Sequence, residues 1–162
     1  MTMISTGDKL PEMELMVLTE DGPSNVSAQE IFGDKRVVLF GLPGAFTGTC
    51  SGVHLPGFLE NSEAIKSKGI DTIALVSVND HYVLKAWADQ HNAMNDILFI
   101  ADWDSAFTQA IDMEFDASGG GLGKRSKRYS MIVDNGEVKT LNVEESPGEA
   151  VVSGAAKILE QL

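Results

Sequence analysis

Val37-Val-Leu-Phe-Gly-Leu42 runs directly into Pro43-Gly-Ala-Phe-Thr-Gly-Thr-Cys50, and Ser51-Gly-Val-His-Leu-Pro-Gly-Phe58 follows. The first stretch is a continuous apolar run ended by a proline, as expected for a strand buried on both faces. The last opens a helix-like stretch over 50–68, with a kink expected at Pro56, where proline removes a backbone donor. Cys50 therefore lies at a strand-to-helix turn, near a helix N-terminus. Backbone N–H groups are free there and the helix dipole is positive. A thiol in that field ionises more readily, and the thiolate is the reactive species.

Working outward, 14–19 reads as a strand, Gly22-Pro23 as a turn and 27–32 as a short helix. Ile70 to Val78 is rich in β-branched residues and predicts a second buried strand. A helix over 80–90 follows, with Asn79 or Asp80 as its N-cap. Next come a third strand over 97–101 and a short helix over 105–113. Ala117 to Arg128 carries Gly119, Gly120, Gly121 and Gly123 and then Lys124, Arg125, Lys127 and Arg128, and reads as a loop with at most one helical turn. Asn135-Gly136 between 128–133 and 137–143 is a strong hairpin signal. A helix is expected over 147–162. This order is that of a thioredoxin-like α/β domain spanning 1–162: a central mixed sheet flanked by helices, with parallel crossovers in the first half, an antiparallel edge and an N-terminal extension.

The chain has 162 residues, 43% hydrophobic and 22% charged, with a net charge of −12. That balance repels nucleic acid and anionic membrane, and excludes both as main partners. One cysteine cannot form an internal disulfide, which excludes a disulfide-stapled secreted scaffold and favours a reducing, cytoplasmic setting. Met1 to Glu20 has no apolar run suited to a signal peptide, and no stretch is long enough to span a membrane. No His/Cys/Asp set has metal-ligand spacing, so neither a metal nor another cofactor is expected. His81 and His91 read as helix or surface residues. The glycine run has neither a Rossmann context nor a Walker Lys-Ser/Thr pair.

An unassisted thiol, with a pKa of about 8.5, is only about 3% ionised at pH 7. Raising its ionisation constant a hundredfold takes about 2.7 kcal/mol. A helix terminus supplies ~0.3–1 kcal/mol, so a cation or several hydrogen-bond donors must contribute as well. Thr47 and the N–H groups of Thr49 and Cys50 are donors in the same turn. The cluster over 124–128 offers the cation, with Arg128 and Arg125 as competing candidates. Leu42, Phe46, Phe58, Phe107 and Leu122 are core candidates, part of which can rim the thiol.

Pro43, Thr47 and Cys50 form the Pro-x-x-x-Thr-x-x-Cys signature of the peroxiredoxins. The wider run PGAFTGTCSGVHLPGF over 43–58 resembles their type II atypical subfamily, the peroxiredoxin-five group. SVND at 77–80, ADWDSAF at 101–107 and KRYSMIVDNGEVK at 127–139 extend the resemblance over nearly the whole chain. The resemblance implies a thiol peroxidase in which Cys50 attacks the peroxide and becomes a sulfenic acid. It implies that Thr47 hydrogen-bonds the thiolate and the peroxide, that Arg128 supplies the cation, and that Pro43 shields the sulfur. It further implies that the N–H groups of Thr49 and Cys50 bind the reacting oxygens and that Phe46 lines the substrate approach. His54, four residues after Cys50, either tunes the thiol, donates a proton, or holds the helix against a neighbouring loop.

Two departures stand out. Gly48 replaces the proline usual after the threonine. No resolving cysteine is present: Leu75 and 146–154 occupy the regions where relatives carry one. The resemblance then implies a one-cysteine cycle closed by an external thiol, glutathione with a separate glutaredoxin before thioredoxin, and a homodimer. A peroxide relay to a partner protein through a mixed disulfide, and a non-catalytic binding module, are the competing readings.

Overall fold

The computed structural model describes residues 2–162. An N-terminal hairpin, β1 (Glu14–Thr19) and β2 (Gly22–Ser27), leads through α1 (Ala28–Phe32) to β3 (Arg36–Leu42). There follow α2 (Leu55–Glu60), α3 (Ser62–Ser67), β4 (Thr72–Ser77), α4 (His81–Gln90), β5 (Leu98–Ala101) and α5 (Ala106–Ala110). The chain ends with β6 (Glu114–Asp116), β7 (Lys124–Ser126), β8 (Tyr129–Asp134), β9 (Glu137–Val143) and α6 (Ala155–Gln161). Seven strands make one sheet in the order β2-β1-β5-β4-β3-β8-β9. β3, β4 and β5 are parallel, and β8 pairs antiparallel with β3. This is the mixed, helix-flanked sheet of a thioredoxin-like fold.

β3 is buried on both faces because both faces are covered. Val38, Phe40 and Leu42 pack with Leu55, Phe58, Ile65, Trp87 and Ile158 on one side. Val37 and Leu39 pack with Phe32, Phe107, Tyr129 and Met131 on the other. The period-2 alternation of strand side chains sorts the run into these two layers. Cys50 belongs to the first layer and is fully buried.

Four expectations need correction. Gly22-Pro23 is not a turn but the start of β2; the turn is Glu20-Asp21, closed by the Thr19 hydroxyl donating to the Gly22 carbonyl at 2.6 Å. Proline is tolerated there because β2 is an edge strand. The helix over 50–68 is three pieces: a π-helical turn at Cys50–His54, then α2, then α3 after Asn61. The π turn ends on Leu55 N–H donating to Cys50 C=O, just before Pro56, which has no N–H to continue an α-helical ladder. The loop over 117–128 contains a 3-10 turn at Ser118–Gly120 and strand β7, paired with β6. Finally, the C-terminal helix begins only at Ala155. Pro147, Gly148 and Gly154 disfavour an earlier start, and the backbone of 147–153 is engaged elsewhere.

Candidate active site

β3, an inner strand, delivers Pro43 just past its C-terminal end, and the loop after it is fixed from two directions. Asn79 Oδ1 accepts from the Ala45 N–H at 3.0 Å and from the Ser77 hydroxyl, tying the loop to the end of β4. Arg125 Nη1 donates to the Pro43 carbonyl at 3.2 Å, and its Nε to the Leu122 carbonyl at 2.9 Å. Phe46 adopts φ +65°, the left-handed conformation that reverses the chain, and leaves its ring half exposed against Trp87. The Thr47 hydroxyl donates to the Gly44 carbonyl at 2.7 Å. Helical backbone begins at Gly48, and its first main-chain bond runs from Ser51 N–H to Thr47 C=O at 2.9 Å. The N–H groups of Thr49 and Cys50 precede that bond and have no partner within the helix.

Arg128 closes the site. It is 2% exposed, and its planar fork makes three separate contacts. Nη2 donates to Cys50 Sγ at 3.1 Å, Nη1 to His54 Nδ1 at 3.0 Å, and Nε to the Pro147 carbonyl at 2.9 Å. No ion pair among the described residues includes Arg128. A buried guanidinium without a carboxylate is costly unless another negative group faces it, and the group it faces is the sulfur.

His54 Nε2 lies 3.0 Å from the Ser153 carbonyl. A carbonyl only accepts, so Nε2 carries the proton and Nδ1 offers its lone pair to Arg128. Burial, and after it the Arg128 charge, lowers the His54 pKa to about 3. The ring is neutral at working pH, packed against Phe40 at 5.0 Å and Phe58 at 5.6 Å. Trp87 Nε1 donates to the Ser51 hydroxyl at 2.9 Å, one residue from the thiol. The segment between β9 and α6 crosses this turn. Besides the Pro147 and Ser153 carbonyls it supplies that of Gly148, which accepts from Thr49 Oγ1 at 2.8 Å.

Among the described residues, no group of three or more His, Cys, Asp or Glu side chains is placed to hold a metal ion. Among the same described residues, no helix is long and apolar enough to cross a membrane. Residues 5–159 match the family model described as Redoxin. The chain belongs to the redoxin family. Its relatives place it among the type II, peroxiredoxin-five-like peroxiredoxins. Peroxiredoxin-2C of Oryza sativa subsp. japonica is 44% identical over 100% of both chains. Reduced Prx3 of Vibrio vulnificus in complex with hydrogen peroxide is 48% identical, with a TM-score of 0.92 over 98% of this chain and 99% of that one. A one-cysteine peroxiredoxin of Plasmodium falciparum is 28% identical, with a TM-score of 0.88 over 98% of both. A peroxiredoxin is a thiol-dependent peroxidase.

Of the residues singled out in this peroxiredoxin's sequence, Cys50 and His54 both meet Arg128. Thr47, Thr49 and Pro43 frame the turn, and Phe46 stands at its rim. Of the two competing arginines, Arg128 reaches the sulfur and Arg125 holds Pro43. The Thr47 hydroxyl does not donate to the thiol, because its proton is spent on Gly44. Gly48 has no heavy atom within 4 Å of where a Cβ would stand. Asn79 was read from the sequence only as an N-cap candidate, a place that Asp80 takes, and Trp87 and the carbonyls of 147–153 were not singled out for the site. The SVND block was the available signal for Asn79; the backbone acceptors have none.

Proposed function

We propose that this peroxiredoxin reduces hydrogen peroxide and small alkyl hydroperoxides through a sulfenic acid on Cys50, and is restored by glutathione with a separate glutaredoxin. The observation that carries this reading is the buried, carboxylate-free Arg128 guanidinium 3.1 Å from Cys50 Sγ. It stabilises negative charge on the sulfur and, with its rigid fork, orients a peroxide beside it. Thr47, its proton committed to Gly44, acts as acceptor for the peroxide O–H. The N–H groups of Thr49 and Cys50 stabilise charge on the departing oxygen, as in an oxyanion hole. Pro43 and Phe46 limit water at the site.

The thiolate sulfur attacks the terminal peroxide oxygen. The S–O bond forms as the O–O bond breaks, and the departing hydroxide or alkoxide takes up a proton to leave as water or alcohol. Sulfur loses two electrons and the peroxide gains two. With one cysteine in the chain, no internal thiol traps the sulfenic acid. A glutathione thiolate attacks its sulfur and releases water, and a second thiol cleaves the mixed disulfide to return Cys50. Cys50 is fully buried, so the segment carrying Pro147 and Gly148 must yield at this step. We further propose a homodimer in a cytoplasmic, reducing compartment.

The test is steady-state turnover of hydrogen peroxide coupled to NADPH oxidation, with glutathione, glutathione reductase and glutaredoxin against thioredoxin and its reductase. Turnover only with the first set supports the proposal. Turnover only with thioredoxin overturns the reductant, and a stoichiometric protein disulfide without turnover would mark a relay instead.

A further inference from the structure

Glu144 is 8% exposed, and no ion pair among the described residues includes it. Carboxylates are almost never buried unless something holds the charge. Here both donors come from one residue nine positions away: Ser153 gives its N–H at 2.7 Å and its hydroxyl to Glu144 Oε2. Such bonds to a charged acceptor are roughly twice as strong as neutral ones. Ser153 is itself fully buried, and its carbonyl is the acceptor that decides which nitrogen of His54 bears the proton. The opposite nitrogen then accepts from Arg128 Nη1, leaving Nη2 aimed at Cys50 Sγ. From the other side, the Glu144 N–H donates to the Arg128 carbonyl at 3.0 Å. Glu144 thus holds Arg128 twice: directly at the backbone, and through Ser153 and His54 at the guanidinium.

We propose that Glu144 is a positioning residue for peroxide reduction, setting through Ser153 and His54 the aim of Arg128 at Cys50. This inference rests on Arg128 activating the thiol. The plainer role, a staple closing the segment 144–153 ahead of α6, would affect stability but not the reaction of Cys50. A carboxylate whose effect passes through Arg128 must lose that effect when Arg128 is gone.

The experiment is stopped-flow oxidation of the pre-reduced full chain by hydrogen peroxide, for Glu144→Ala and Glu144→Gln, in the native and Arg128→Ala backgrounds. Glu144→Ala is expected to slow oxidation about tenfold, in line with the cost of misplacing a reacting group by a fraction of an ångström. Glu144→Gln, whose amide oxygen still accepts from Ser153, is expected to stay within about twofold. In the Arg128→Ala background Glu144→Ala adds nothing. Ser153→Ala, which removes one donor and leaves the backbone intact, gives a smaller slowing with the same loss of effect, and replaces Glu144→Ala should that variant not fold. A folded Glu144→Ala oxidised at the native rate, or slowed equally in both backgrounds, overturns the inference. Arg128→Ala oxidised at the native rate would instead overturn the underlying role of Arg128, and this inference with it.

Discussion

Arg128 Nη2 donates to Cys50 Sγ at 3.1 Å, although 78 residues separate the two. Strand register explains the meeting. β8 pairs antiparallel with β3 so that Tyr129 stands opposite Gly41, and the residue before Tyr129 arrives beside the turn that follows β3. The Tyr129 ring fills the space over Gly41, where a Cβ would come within 2.3 Å of it.

Arg128→Ala should slow oxidation of Cys50 by hydrogen peroxide by about a hundredfold or more, the scale seen when a preorganised charge-stabilising donor is removed. Lys124, exposed and 4.0 Å from Asp116, should be replaceable by alanine with little effect. Rapid-mixing rates for both variants settle the assignment; equal slowing would move the active cation away from Arg128.

Thr47→Val removes the acceptor in the pocket and leaves the Gly44 carbonyl without its 2.7 Å partner. The expected loss is about tenfold in oxidation rate, roughly the worth of one hydrogen bond made in the transition state, with Thr47→Ser keeping most of it. A fully active valine variant would remove the hydroxyl from the mechanism.

His54 gives a pH dependence whose sign follows from linkage. Folded, it takes up a proton only near pH 3; unfolded, near 6.5. Between those values the unfolded chain holds more protons, so this contribution is complete above about pH 6.5 and declines as pH falls toward 3. Urea denaturation at about pH 7 and about pH 4.5 should show His54→Gln losing less stability over that interval than the native chain. An identical loss would mean that His54 titrates normally in the folded state.

Two glycines near the site should respond oppositely. Gly41→Ala forces the Tyr129 ring aside inside a packed layer and should cost about 1–3 kcal/mol. At Gly48 an added Cβ meets nothing within 4 Å, and in the first helical turn proline's missing N–H is not needed, so Gly48→Pro should stabilise by about 0.4–1 kcal/mol. Denaturation midpoints of the two variants test both signs.

What was legible in the sequence follows from how local each signal is. The β3 run, the turn at Cys50 and the Asn135-Gly136 hairpin are fixed by neighbouring residues; Asn135 at φ +49° and Gly136 at φ +78° are what such a dipeptide permits. Arg128 was readable only through the family resemblance of the block at 127–139; the residues alone left it level with Arg125. The course of 147–153 was not, because its shape is set by Arg128, Thr49, His54 and Glu144, drawn from distant parts of the chain. The π turn at Cys50–His54 differs from an α-helix by one step of hydrogen bonding, which side-chain periodicity does not register. The donor role expected of Thr47 toward the thiol failed for a similar reason: a hydroxyl has one proton, and the Gly44 carbonyl takes it.

Single-turnover stopped flow tests most directly whether Cys50 is the peroxide-reducing thiol. Trp87, fully buried and bonded to Ser51 at 2.9 Å, is the internal reporter, whereas Trp103 is exposed. Pre-reduced protein mixed with hydrogen peroxide should show a Trp87 fluorescence change far faster than oxidation of a free thiol, absent in Cys50→Ser and matched by one added oxygen at Cys50. Oxidation no faster than that of free cysteine, or a change surviving in Cys50→Ser, would contradict that role.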